Sequence, residues 1–526
     1  MQRLRAKWGR PGAKEVTAIR RYFDLTRDPA VPTIDEKTWT DLELPKVFAN
    51  LDSTESPLGS QCLYRRLRTY VDSQQELAQY HASCQVLRAD VAMREEIQLR
   101  LSGLQDEAND QLADTIFGAP PPRTLAMSLL PWWSLACLAT IVVVVVMKLS
   151  IWIWLATLGV NLLLIFYFTL PMHREAALLR GCYRMLRVAD ALAARPASAK
   201  EPGELATLRA MGPQRARARA QLGWLSVLHS PSIEYLTVWL NLTFLAELVA
   251  YVRIIGRLEG IRAELASTFA LLGSLDAAVA VASYLEGNVD HCTPVLVEGR
   301  TLELEDGRHP LIARPVDNSI RLDRRSALVT GSNMAGKTTF IKMVGLNVIL
   351  GRTLGFCLAK RAVIPVTSVM ASIRSEHSVE SGKSRYFAEL EAIRAFINKA
   401  CRGECGLFLV DELFSGTNTI ERLAAGRAIL EYIADRSLVL ATTHDVELQE
   451  DLASCYDLYY FQEDPDVEDY FDYRLRRGRS SRRNAIRLLE REGFPADIIA
   501  DALAYSEFYA RLDTIDGSIQ VAPSTT

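Results

Sequence analysis

Gly331-Ser332-Asn333-Met334-Ala335-Gly336-Lys337-Thr338 follows the apolar run Ala327-Leu328-Val329 and precedes Phe340, Ile341, Val344, Val348 and Ile349 at helical spacing. Strand, glycine-rich turn and amphipathic helix, in that order, are the setting that a G-x-x-x-x-G-K-[ST] phosphate loop requires. The glycines let successive backbone N–H groups turn toward a β-phosphate, Lys337 reaches the β- and γ-phosphates, and the Thr338 hydroxyl is suited to Mg²⁺. The competing reading, a chance glycine-rich turn, weakens with each flanking element. Residues 331–339, including Thr339, are therefore the candidate nucleotide-binding set, with ATP and Mg²⁺ as the expected ligands.

Downstream, Leu407-Phe408-Leu409-Val410 ends in Asp411-Glu412, the pattern of a buried parallel strand whose carboxyl end faces the nucleotide. Asp411 is expected to hold Mg²⁺ through water. Glu412, one residue on and pointing the other way along the strand, is placed to polarise the attacking water. A second short run, Leu438-Val439-Leu440-Ala441, delivers Thr442-Thr443-His444-Asp445, which makes His444 the candidate γ-phosphate sensor. The candidate catalytic residues are thus Lys337, Glu412 and His444, and the candidate metal ligands Thr338 and Asp411.

These residues, in this order, resemble the MutS family of ATPases. The resemblance extends to Gly307-Arg308-His309-Pro310-Leu311 and to Ser384-Arg385-Tyr386-Phe387-Ala388-Glu389-Leu390, which looks like the family's signature loop. It implies that Ser384, at a helix N-terminus, acts in trans on the nucleotide of a second subunit, so that the site is complete only in a homodimer joined through the ATPase domain. Val47 to Ser60, with Leu63 and Leu67, looks like the opening of the family's helical lever, and Leu272-Gly273-Ser274-Leu275-Asp276 like the helix that returns to the ATPase. Tyr473-Arg474-Leu475, Asn484-Ala485-Ile486 and Gly493-Phe494-Pro495 resemble the family's strand and helix after the nucleotide core.

Between Leu129 and Leu170 the chain is apolar except at Lys148-Leu149-Ser150. Leu129 to Met147 and Ile151 to Leu170 each have about the twenty residues needed to cross roughly 30 Å of hydrocarbon. Trp132, Trp133, Trp152 and Trp154 sit at candidate interfaces, and Arg123 and Arg174 flank the outer ends against Lys148 in the turn, a bias toward soluble parts in the cytoplasm. The expected location is the cell membrane, crossed twice. Ile233 to Ile255 is apolar but carries Glu234, Asn241, Glu247 and Arg253, and reads as one long lever helix, buried or near the membrane surface.

With 60 Lys and Arg against 63 Asp and Glu, the net charge is −3, so no global field recruits nucleic acid. Nine cysteines without a C-x-x-C pair read as free thiols. The basic N-terminus lacks the apolar stretch of a secretion signal. An acidic run (Asp464 to Asp472) followed by a basic one (Arg474 to Arg487) reads as a solvated hairpin whose charges neutralise each other rather than as a nucleic-acid contact. Arg209, Arg215, Arg217 and Arg219 read as a helix surface facing anionic lipid.

The expected fold is an α/β P-loop NTPase domain of the ABC type plus an all-α lever interrupted by a transmembrane hairpin. The expected organisation is a basic segment (1–33), lever (34–128), two spans (129–170), returning lever (171–290), ATPase with C-terminal helices (291–510) and tail (511–526). About 35 residues precede the lever-like segment, too few for the family's mismatch-reading domain, and the hairpin stands where the lever would run on to a DNA clamp. The sequence also shows no aromatic before Val316-Asp317-Asn318, where the family commonly stacks one on adenine, which leaves base selectivity open. The resemblance implies binding of mismatched or structured DNA; the rival reading is a mechanochemical or scaffold ATPase acting on membrane lipid or on a membrane protein partner.

Overall fold

The computed structural model describes residues 1–12, 19–105, 111–120, 124–228, 234–331, 335–373, 385–414, 418–462, 471–479 and 493–516. Its strands are β1 (Val295–Val297), β2 (Thr301–Gly307), β3 (Asn318–Asp323), β4 (Ser326–Thr330), β5 (Arg361–Pro365), β6 (Ser368–Ser372), β7 (Gly406–Asp411), β8 (Leu438–Thr443), β9 (Tyr456–Tyr460) and β10 (Arg476–Arg477). Six form one sheet in the order β10-β9-β4-β8-β7-β6, parallel except for β10 at the edge; β1-β5-β2-β3 form a second.

The apolar runs that mark β4, β7 and β8 in the sequence are buried at every position, as parallel strands covered on both faces must be. Alternation divides their side chains between two cores. Val329, Leu407, Leu409 and Leu440 meet the Lys337–Leu354 helix side, whereas Leu328, Phe408, Val410 and Val439 pack with Ile393, Phe396, Leu430 and Ile433 of the Arg385–Cys401 and Thr419–Arg436 helices. An α/β NTPase-like arrangement results.

An exposed edge at β6 would leave a row of backbone donors without partners. Side chains from the N-terminal helices serve them instead. The N–H of Val369 donates to the Tyr70 hydroxyl (2.9 Å), that of Ala371 to Thr38 Oγ1 (3.0 Å) and that of Ile373 to an Asp41 carboxylate oxygen (2.9 Å). The spacing of two matches the strand period, so the 38–70 segment is fastened to the sheet residue by residue. It is fastened again to the helix Arg262–Gly287. A Cβ on Gly273 would stand 2.3 Å from Cys62 Sγ, and one on Gly59 2.3 Å from Asp276 Oδ2, so both glycines are required for the close approach of Pro57–Arg68 to that helix.

The apolar stretch folds as a helix Leu125–Val146, a turn with Lys148 at φ 52°, and a helix Trp152–Ala193. The first starts four residues before the expected boundary. The second does not stop at Leu170 but continues as one helix of 42 residues, in whose later part Cys182, Met185, Leu186 and Ala189 are fully buried. Leu125–Val146 is long and apolar enough to cross a bilayer and only 11% of its apolar window is buried; Trp152–Phe168 is a shorter apolar helix. Ala246–Gly287 is also long and apolar, but 72% of its most apolar part is buried, which marks that part as a core element.

The expectation of one long helix over 233–255 is corrected. The chain forms two helices, Glu234–Phe244 and Ala246–Leu258, broken at Leu245, whose φ is 52°. The last carbonyls of the first are taken up by Asn161 of the long helix: its Nδ2 donates to Leu242 O (2.9 Å) and Thr243 O (3.0 Å), and its Oδ1 accepts from Trp133 Nε1 (2.8 Å). A side-chain donor replaces the helical bonds those carbonyls lack.

Candidate nucleotide site

β4, β8 and β7 lie side by side, and each ends at the same edge of the sheet. The turn after β4 needs two glycines. Gly331 has φ 135°, and a Cβ there would stand 2.7 Å from Phe461 O; Gly336 has φ 98° and caps the helix that begins at Lys337. That helix presents its N-terminus to the site, the favourable end for a phosphate. Ser332, Asn333 and Met334 lie outside the described residues.

The charged groups converge beside this turn: Lys337, Asp411 and Glu412 are buried, whereas His444 is exposed. The Lys337 side chain is 1% exposed; its ammonium donates to Gly331 O and stands 3.6 Å from Glu412 Oε1, on a carboxylate 6% exposed. Thr338 Oγ1 donates to Asp411 Oδ2 (2.9 Å), and Thr442 Oγ1 donates to the other oxygen of the same carboxylate. His444 Nδ1 is 3.6 Å from Glu412 Oε1. Behind it Asp445 is held by Arg422, whose guanidinium donates at 2.7 and 3.2 Å.

Glu412 does not reach this place by strand alternation, contrary to the expectation from its position after Asp411. β7 ends at Asp411, and Glu412 (φ 50°) and Phe414 (φ 56°) both adopt the left-handed backbone region, unusual for residues with a Cβ. Two bonds hold the turn: Glu412 N donates to Thr442 O (3.2 Å), and Phe414 N donates to Glu389 Oε1 (2.6 Å). Glu389 thereby ties the signature-like helix to the segment that carries the carboxylate pair. Ser384 lies outside the described residues.

Residues 327–508 match the family described as MutS domain V. This part of the chain belongs to the MutS family. It is 32% identical over 200 residues to DNA mismatch repair protein MutS of Chlorobaculum tepidum, covering 36% of this chain and 22% of that one. DNA mismatch repair protein MutS 2 of Halobacterium salinarum is 28% identical over 258 residues (47% and 29%), and the MutS of Chloroflexus aurantiacus 29% over 257 (46% and 26%). The shared part thus spans 22–29% of these relatives' length. MutS domain V is the ATPase domain of its family, in keeping with the α/β sheet described above.

Beside the phosphate loop of this MutS-family part lies a cavity of about 320 Å³. Gly336, Thr338 and Thr339 form its floor, and His309, Phe461 and Tyr473 bring rings to it. The sequence has no aromatic before Val316 to suggest base selectivity; the rings come from chain segments on either side instead. Tyr473 takes a left-handed backbone (φ 52°) and is pinned by Asn318, which donates to Tyr473 O (2.9 Å) and accepts from Leu475 N (2.7 Å). Tyr473-Arg474-Leu475 and Gly307-Arg308-His309 stand out in the sequence, but no local pattern says that they meet.

Burial pushes the His309 imidazole down to about 4, with Lys342 adding to the effect, so it is neutral at pH 7. Its Nδ1 accepts from Leu311 N (3.2 Å).

Two other expectations have a structural answer. Arg476 pairs with Asp472 of the acidic run at 2.5 Å, and Arg477 and Arg479 face Asp457 and Glu450 at 3.7 Å, so three of the four described arginines of the basic run have acidic neighbours; Arg482, Arg483 and Arg487 lie outside the described residues. All nine cysteines are free.

Proposed function

We propose that this chain binds ATP with Mg²⁺ at the carboxyl edge of β4, β7 and β8 and hydrolyses it as a homodimer. The observation that carries the proposal is the meeting of Lys337, Thr338, Asp411, Glu412 and His444 around one loop, next to a ring-lined cavity of about 320 Å³ that suits a purine. Thr338 and Asp411, now hydrogen-bonded to each other, are the pair that would hold Mg²⁺, which when bound neutralises charge developing on the β- and γ-phosphate oxygens. The donors of the loop and Lys337 orient the triphosphate. Glu412 accepts a proton from the attacking water, His444 donates to the γ-phosphate, and Ser384 reaches the nucleotide of the partner subunit. Lys337 then exchanges its contact with Glu412 for one with phosphate, which frees that carboxylate for the water.

The long helix that begins at Trp152 supports a second element of the proposal. Residues 129–170 cross the cell membrane twice, soluble parts face the cytoplasm, and lever segments 34–128 and 171–290 link the spans to the ATPase at 291–510. Nucleotide-driven motion of the lever would then reach the bilayer through one continuous helix. Relatives named DNA mismatch repair proteins favour mismatched or structured DNA as ligand. The exposed apolar helix Leu125–Val146 favours the second reading, an ATPase acting on membrane lipid or on a membrane protein partner.

Detergent-solubilised protein should hydrolyse ATP, and Glu412→Gln should retain nucleotide while losing turnover. Duplex binding that weakens with salt would favour DNA; its absence, with partner capture from membranes in the ATP-trapped variant, would favour the second reading.

A further inference from the structure

Of the four arginines between 209 and 219, three are paired with carboxylates. Arg209 binds Glu201, and Arg215 and Arg219 share Asp190. Arg217 makes no ion pair with a described residue, and the same holds for Arg253 and Arg257, one turn apart on the helix Ala246–Leu258. These three, all exposed, line a single cavity of about 640 Å³ between that helix and Gly212–Leu228.

The cavity is graded along its length. Arg217, Arg253 and Arg257 occupy one end; Leu228, Leu240, Phe244 and Ser134 the other, with Trp224 between. Arg217 to Leu228 and Ala246 to Arg257 are both eleven residues, about 16 Å along a helix axis. That length is close to one leaflet of a hydrocarbon core about 30 Å thick. Ser134, on the helix Leu125–Val146, lies five residues past Leu129, where the proposed span begins, about 8 Å along the helix. On the membrane reading the apolar end then lies within the hydrocarbon, and the arginines, about 16 Å away along the helices, lie at headgroup level.

Resting on the membrane reading above, we infer that this cavity is a binding site for an anionic phospholipid. The phosphate meets Arg217, Arg253 and Arg257, Trp224 lies at the interface, and an acyl chain runs toward Leu240, Phe244 and Ser134. The exposed face of Glu234–Phe244 (Tyr235, Leu236, Val238 and Trp239) continues the apolar surface of the hairpin, so the chain leaves the cavity into lipid rather than into water.

Native mass spectrometry of the delipidated full chain in neutral detergent, titrated with dioleoylphosphatidylglycerol, dioleoylphosphatidylcholine or glycerol phosphate, tests this. The anionic lipid is expected to bind at least tenfold more tightly than the zwitterionic one. Replacing each of the three arginines by Gln should remove about fivefold of that preference. Ala220→Trp, which narrows the cavity without changing charge, should weaken both lipids. Equal binding of the two lipids overturns the site while leaving the membrane anchor intact. Glycerol phosphate binding as tightly as the lipid also overturns it, since the apolar end would then contribute nothing. Extraction of the wild-type chain from membranes by alkaline carbonate would refute the membrane reading itself and this site with it.

Discussion

The carboxylate of Asp276, on the helix Arg262–Gly287, accepts both the backbone N–H (2.8 Å) and the hydroxyl (2.6 Å) of Ser56, 220 positions earlier in the chain. The N–H of Glu55 donates to its other oxygen at 3.0 Å, and Asp276 is fully buried. A negative charge thus sits at the N-terminus of Pro57–Arg68, where the helix dipole and the orphan donors both favour it.

Asp276→Ala would leave these donors buried without an acceptor. A loss of about 3–5 kcal/mol is expected, read as a lower denaturant midpoint, with Asp276→Asn losing less because one acceptor oxygen is kept. An unchanged midpoint in Asp276→Ala would show that this contact does not fasten Pro57–Arg68 to Arg262–Gly287.

Glu412 is held at the site by a strained turn and by neighbours on other elements, not by the strand that precedes it. Glu412→Gln should therefore fold and retain nucleotide while turnover falls by about 10²–10⁴. Single-turnover hydrolysis of radiolabelled ATP separates the two effects. A variant that turns over at the wild-type rate excludes Glu412 as the base.

Tyr473 faces the cavity beside Gly336 and is held there by Asn318. Tyr473→Ala is expected to raise KM for ATP by about three- to tenfold through lost ring contact, with a smaller effect on kcat. Tyr473→Phe should stay near wild type. If Phe behaves like Ala, the hydroxyl rather than the ring carries the effect.

Much of the candidate nucleotide edge is legible because phosphate chemistry leaves short patterns. Gly331 to Thr338, Asp411-Glu412 and His444 each stand where an apolar run ends, and the parallel sheet follows from such runs. The illegible part depended on meetings between distant segments. Nothing local in Tyr473 or His309 announces that they share a cavity, nor does Asn161 reveal two carbonyls to accept its amide. The break at Leu245 escaped for the same reason: a leucine with positive φ is imposed by tertiary contacts, against its own propensity. Likewise, the four arginines from 209 to 219 look alike in sequence, and only their partners separate Arg217 from the rest.

The pH dependence of stability is set in part by His309. Its folded value, about 4, lies below the unfolded value of about 6.5, so between these limits the unfolded chain takes up a proton that the folded chain refuses. Stability from this group is complete above about pH 6.5 and falls as pH drops toward 4. The wild type should lose of the order of 2–3 kcal/mol more than His309→Gln over that window in parallel denaturant titrations. Identical losses would show that His309 titrates normally.

Asn161 tests how the broken helix pair is keyed to the hairpin. Its amide donates to Leu242 O and Thr243 O, and its carbonyl accepts from Trp133, so one residue joins three helices. In an apolar surrounding each such bond contributes about 0.6–2 kcal/mol, and no water replaces it. Asn161→Leu should lower the melting temperature of the detergent-solubilised protein and loosen Glu234–Phe244, seen as faster amide exchange at Leu245 and Ala246. Trp133→Phe removes one bond and keeps the ring, so it should reproduce only a minor part of that change. If Asn161→Leu left exchange at Leu245 untouched, the left-handed break would be held by packing alone, and the Asn161 amide would have no part in setting it.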